Sequence, residues 1–151
     1  MCIRDRVCAW VLLALLAGAV IPLQAGVNAE LARVVGGPVR SALVSFAVGT
    51  LALFLLSLLL TGPSWPWGRM LQAPAWVYVG GLLGAVYVVS VIVLAPRLGP
   101  LLTFALVIAG QLLASLLLEH LGLLYARNPV NLPRLIGLLL VLLGDYLVRR
   151  F

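Results

Sequence analysis

Residues 39–60 read VRSALVSFAVGTLALFLLSLLL and stop at Thr61-Gly62-Pro63. A helix needs roughly 20 apolar residues to cross about 30 Å of hydrocarbon, and this run supplies them ahead of a strong breaker. Working outward, four more stretches meet or approach that length. They cover about residues 7–27, with Pro22 inside, 75–94, ending at Ala95-Pro96, 101–118, just after Gly99-Pro100, and 135–148, closed by Arg149-Arg150. The last is the shortest and is expected to take Pro133-Arg134 as its first turn. Together they fill about two thirds of the chain and leave no soluble domain. Residues 1–151 therefore read as one all-α transmembrane domain of five helices.

Composition agrees. Of 151 residues, 64% are hydrophobic and 9% charged, where a soluble chain runs nearer half and a quarter. The mean hydropathy is +1.22. Disorder, coiled coil and disulfide scaffold are excluded by the same figures. The pI of about 10.4 comes from scattered arginines without any Lys, so it does not indicate nucleic-acid binding.

The connection Gly62 to Pro74 holds Trp65 and Trp67, with Trp76 just beyond. Tryptophan at that density beside a span end reads as an interfacial belt rather than a carbohydrate-stacking surface. At the N-terminus, Arg4 and Arg6 precede an apolar run, and Leu23-Gln24-Ala25-Gly26 resembles a cleavage site. The run exceeds a usual signal-peptide core and more spans follow, so the expectation is a retained first span. The opening Met1-Cys2-Ile3-Arg4-Asp5-Arg6 looks unlike the rest of the chain.

An odd number of spans puts the termini on opposite faces. One face then carries Arg4, Arg6, Arg69, Arg127 and Arg134, and the other Arg33, Arg40, Arg97, Arg149 and Arg150. The positive-inside rule returns a tie. Discounting the first six residues leaves three against five, a weak preference for a cytoplasmic C-terminus. Either another cue sets orientation, or the chain inserts both ways and pairs as an antiparallel dimer, supplying the inverted repeat that transporters use. Charge alone leaves both open.

Ionisable groups in lipid cost about 2.5–3.5 kcal/mol on insertion scales, so each needs a reason. Asp145 has Arg149 four residues on and reads as half of a structural pair. Glu30 and Glu119 sit near span ends, where they can reach interfacial water. His120 is the only histidine, and Cys2 and Cys8 have no partner ligands, so neither metal nor redox chemistry is expected. Neutral polar residues form stripes. Gln24 and Asn28 lie four apart just after Pro22, a proline that can open its helix. Gln111, Ser115 and Glu119 repeat at i, i+4, i+8, and Tyr87 and Ser90 lie on the third span. Serines and glycines, including Ser41, Ser45 and Gly49, read first as helix–helix packing, and Gly80 and Gly84 make a small-xxx-small face. Gly137 and Gly144, seven apart, suggest a packing or dimerisation face. The amides are dear in lipid, so Gln24, Asn28 and Gln111 suggest a shared polar interior. No Walker loop, zinc-protease motif or nucleophile elbow is present, so an enzyme is not expected.

At these residues the chain resembles the short YdcZ-like members of the drug/metabolite transporter superfamily. The likeness is carried by Pro22-Leu-Gln-Ala-Gly-Val-Asn28, Ser45-Phe-Ala-Val-Gly-Thr50, Gly80-Gly-Leu-Leu-Gly-Ala-Val-Tyr87, Ala95-Pro-Arg-Leu-Gly99, Ile108-Ala-Gly-Gln-Leu112 and Glu119-His-Leu-Gly122. It spans about residues 9 to 148. It implies a five-span half-transporter in a bacterial inner membrane, related to small multidrug exporters, and so favours an antiparallel ten-helix homodimer. Those exporters carry an essential glutamate midway along their first span. Here that depth is apolar and Glu30 comes too late, so proton coupling through it does not carry over.

The expected function is secondary transport, as exporter or exchanger, of a small organic metabolite or drug-like solute, without a cofactor. Gln24, Asn28, Tyr87, Gln111 and Ser115 are the expected lining of a central site, and Glu119 the candidate proton- or cation-coupling group. The expected partners are a second copy of the chain, the bilayer and the solute. A passive channel of the same architecture and a non-transporting accessory subunit are the alternatives.

Overall fold

A computed structural model describes residues 3–150, with the side chains of residues 3–6 and of Arg149 outside that description. The orientation charges Arg4 and Arg6, Cys2, and the expected Asp145–Arg149 pair therefore lie outside the described residues. Among those described the regular structure is helical: α1 (Ile3–Val35), α2 (Pro38–Thr61), a short α3 (Trp67–Gln72), a 3-10 turn (Ala75–Tyr78), α4 (Val79–Leu98), α5 (Pro100–Leu121) and α6 (Leu132–Arg150). They fall into two compact units that divide between Val93 and Leu94. In the first, α1 pairs with α2; in the second, α5 pairs with α6.

Two prolines expected to open or end helices do neither. Pro22 lies inside the 33-residue α1, and Pro96 inside α4. A proline removes one N–H, yet in lipid the neighbouring carbonyls gain nothing by leaving the helix, because no water waits to bond them. The ends come instead at glycines whose backbone an L side chain rarely adopts. Gly36 has φ 78° and Gly37 φ 147°, and Gly99 has φ 82°. Gly37 N–H donates to the Ala32 carbonyl at 2.8 Å, closing α1. Pro38 and Pro100 then occupy the first turns of α2 and α5, where a missing N–H costs nothing.

Because α1 runs to Val35, it is about 50 Å long and exceeds a bilayer core. Its C-terminal turns hold Glu30, which takes a hydrogen bond from Arg33 at 2.8 Å with both side chains well exposed. That pair accounts for Glu30 as a surface interaction.

In the first unit, Ser41 is fully buried at the start of α2 and donates from Oγ to the Asn28 carbonyl at 2.6 Å. It reads as the packing contact that small hydroxyl residues supply between helices. Ser41→Ala should leave that carbonyl short of a dry partner and cost about 1 kcal/mol, measured as a lowered unfolding midpoint of the detergent-solubilised protein. Unchanged melting would mean the bond contributes nothing. Gly84 on α4 faces Phe46 of α2: an added Cβ would stand 3.5 Å from Phe46 Cζ. Phe54 of α2 stacks on Trp65, and Trp65 on Trp67, at centroid distances of 6.4 and 5.8 Å. Tyr78 O–H donates to the Met70 carbonyl at 2.6 Å. The aromatic cluster thus sits at the end of α2.

The buried core is small: Ala25, Ala42, Val91, Ile92, Ala95, Ala109 and Leu138. In the most apolar windows of α1 and α2 no residue is buried, and in those of the third and fourth spans 11% are. Water could not tolerate so much bare Leu and Val; lipid or a second copy must cover it. Four helices, Val7–Val35, Pro38–Thr61, Ala75–Leu98 and Pro100–Leu121, are long and apolar enough to cross a membrane. The expected count of five stands at four plus a further helix. α6 has 19 residues but carries Arg134, Asp145, Arg149 and Arg150, and those charges set it apart from the other four.

Candidate functional site

In the first unit, α1 and α4 meet along matching helical stripes. Ile21, Gln24, Ala25 and Asn28 face Tyr87, Val88, Val91 and Ile92 across a narrow cleft. The spacings i, i+3, i+4, i+7 on one helix and i, i+1, i+4, i+5 on the other put each set on a single face. Three of the five expected solute-lining residues are thus brought together. Asn28 is 4% exposed, Tyr87 half-buried and Gln24 open to the outside. The bond from Ser41 goes to the Asn28 backbone, so it leaves the amide side chain uncommitted. The cleft's volume is about 10 Å³, enough for one water. Ser90 turns its hydroxyl back onto the Val86 carbonyl at 2.7 Å and does not line the cleft.

In the second unit, a larger cavity of about 250 Å³ opens between α5 and α6. Its walls are Leu112, Ser115, Leu116 and Glu119 from α5, and Arg134, Gly137 and Leu138 from α6. Arg134 donates from Nη2 to Glu119 Oε2 at 2.6 Å and from Nη1 to the Asn128 carbonyl at 3.2 Å. Both charged side chains are about one-third exposed, at 32% and 30%. An ion pair that open is worth about 0–1 kcal/mol, so it is not what holds the hairpin together.

Other bonds do that. Gly122, with φ 69°, ends α5: its N–H donates to the Glu119 carbonyl, and Leu123 N–H to that of Leu118 at 2.9 Å. This is the paired-bond glycine cap that satisfies a helix's last carbonyls. Asn128 N–H then returns to the Glu119 carbonyl at 2.9 Å. His120 Nδ1 accepts from Val130 N–H at 3.3 Å, and Asn131 Oδ1 from Arg134 N–H at 3.1 Å. Val at position 122 would combine a strained φ with a Cβ 3.3 Å from that of Arg127. Gly122→Val should cost about 1–2 kcal/mol, read as a drop in unfolding midpoint larger than that of Ser41→Ala.

Gln111 is exposed on α5 and lines neither cleft. Gly80, Gly137 and Gly144 have nothing within 4 Å of an added Cβ. Asp145 is 9% exposed, and among the described residues its Oδ2 has no hydrogen-bond partner. Sequence reasoning weighed Arg134 as an orientation charge and a first-turn residue, not as a partner of Glu119. The link between the fourth and fifth hydrophobic runs could have flagged that pairing, since both Glu119 and Arg134 lie at its ends and it returns α6 beside the end of α5.

Long apolar helices and a sparse core define a multi-pass membrane protein, with two clefts lined by a few polar side chains. A family model described as "Putative inner membrane exporter, YdcZ" matches residues 9–147, and the chain belongs to that family. It is a multi-pass protein of the inner membrane. No curated protein and no solved structure matches it.

Proposed function

We propose that the chain is a secondary transporter, an exporter or exchanger of a small organic solute, acting as an antiparallel dual-topology homodimer. The observation that carries this reading is the meeting of Gln24, Asn28 and Tyr87 in one cleft, in a chain of an exporter-type family. Amides and a phenol are costly in lipid unless they serve a polar interior. Gln111 and Ser115 complete the solute's surroundings, with Glu119 acting on the coupling proton or cation. α6 serves as the fifth span: its 19 residues reach about 28 Å, with charges gathered toward its two ends. Two copies in opposite orientations then make ten helices related by an axis in the membrane plane, as alternating access by inverted repeats requires. Gly80, Gly84, Gly137 and Gly144 provide the close-packing faces.

A cleft that admits one water is a closed state, and passage of a solute requires α1 and α4 to part. Flux should therefore saturate with solute concentration. The test is uptake of a panel of labelled small solutes into vesicles reconstituted with purified protein. Saturable flux of at least one solute is the expected result, and flux rising linearly without limit would mean a passive channel instead.

A further inference from the structure

The geometry points to the α5–α6 cavity as a binding site for a zwitterion: a small molecule or headgroup presenting a primary ammonium beside an anionic oxygen acid. The inference rests on the transport reading only in naming a solute class for the cavity that holds Ser115 and Glu119.

Charge comes first. Glu119 and Arg134 face each other at the mouth, where α5 ends and α6 begins. Each has unused capacity. Of the carboxylate's two oxygens only Oε2 meets Arg134, and the two bonds from Arg134 use two of a guanidinium's five N–H groups. An incoming carboxylate can take the remaining guanidinium donors while its ammonium takes Glu119 Oε1, so the pair need not break. Four charges of alternating sign result. A solute with a single net charge would satisfy one member of the pair and stand close to a like charge on the other, which is unfavourable. A zwitterion leaves the site neutral.

Shape agrees. Beyond the charged pair the walls are Leu112, Leu116 and Leu138 with Ser115 among them, and Gly137 contributes no side chain. The volume of about 250 Å³ far exceeds that of the α1–α4 cleft, about 10 Å³, and suits a solute of amino-acid size. The hairpin is clasped independently through Gly122, Asn128 and Asn131, so the ion pair is free to serve a ligand.

Two sources share this chemistry: a free amino acid and the headgroup of an ethanolamine phospholipid. The test is equilibrium binding of labelled leucine to the full-length protein in detergent, with glycerophosphoethanolamine as the parallel ligand. One or both should bind. Hundredfold excesses of 4-methylpentanoate or 3-methylbutylamine, each lacking one of the two charges, should not displace the ligand. Glycerophosphocholine, whose nitrogen has no N–H for Glu119, should not bind. Glu119→Gln and Arg134→Gln should each weaken binding at least tenfold. So should Gly137→Leu, which fills the cavity where an added Cβ meets nothing within the chain. Leucine binding alone assigns the free solute, and glycerophosphoethanolamine binding alone assigns the lipid. Binding of neither ligand, displacement by either singly charged analogue, or wild-type affinity in both glutamine variants overturns the proposal. Solute flux without zwitterion binding contradicts this inference alone. Leucine bound but no solute carried contradicts the transport reading alone.

Discussion

Asn28→Ala should reduce solute flux by about tenfold to a hundredfold, the equivalent of about 1.4–2.8 kcal/mol, and leave the protein folded and dimeric. The amide is almost wholly buried in the α1–α4 cleft beside Gln24 and Tyr87. Losing an amide from a site built to hydrogen-bond a solute strands the solute's polar group in a dry place. The fold should survive because Ser41 bonds the backbone carbonyl of residue 28, which alanine keeps. Gln111→Ala is expected to act in the same direction if Gln111 joins the solute's surroundings. Reconstituted vesicles give the flux and crosslinking gives the dimer. Wild-type flux in both variants would remove the polar-interior assignment.

The second large effect concerns the surface. Leu51 lies near the middle of α2 and is 59% exposed. On a water-facing helix, Leu→Arg at such a position would change stability by about 0.5 kcal/mol or less. In the middle of a bilayer span the same change costs about 2.5–3.5 kcal/mol, or about 70- to 400-fold in an insertion equilibrium. Leu51→Arg should therefore lose most of the membrane-inserted protein. Leu59→Arg, two residues from the C-terminal end of α2, should lose little, because its guanidinium can reach the interface. The readout is protein recovered in washed membranes. Equal recovery of the two variants would contradict the placement of α2 across the bilayer.

Helix content was legible because uninterrupted Leu and Val runs longer than about 18 residues have one stable form in lipid. Helix ends were less so. Pro22 and Pro96 looked like breaks, but the chain turns at Gly36-Gly37 and at Gly99, where positive φ ends the helices. Proline's local cost is outweighed by a solvent that offers freed carbonyls no partner. The fifth run was read by its apolar centre, whereas Arg134, Asp145, Arg149 and Arg150 separate α6 from the four most apolar helices.

Site legibility divides the same way. Gln24 and Asn28 share a face by spacing alone, but their meeting with Tyr87 depends on α1 and α4 lining one cleft, which no local pattern encodes. Glu119 stood out as a costly carboxylate, and its partner Arg134 did not. Arginines were weighed as orientation signals, so one that meets Glu119 at the mouth of a cavity went unremarked. The Gly80–Gly84 stripe predicts close approach, and Phe46 lies at van der Waals distance from position 84 but not from position 80.

The central claim is that this chain works as two oppositely oriented copies. Its most direct test places single cysteines at each end in a background lacking Cys2 and Cys8, and labels intact cells with an impermeant maleimide. Labelling of both ends in comparable amounts is the result the dual-topology dimer predicts. Labelling of one end only, with the other reached only after permeabilisation, would contradict it.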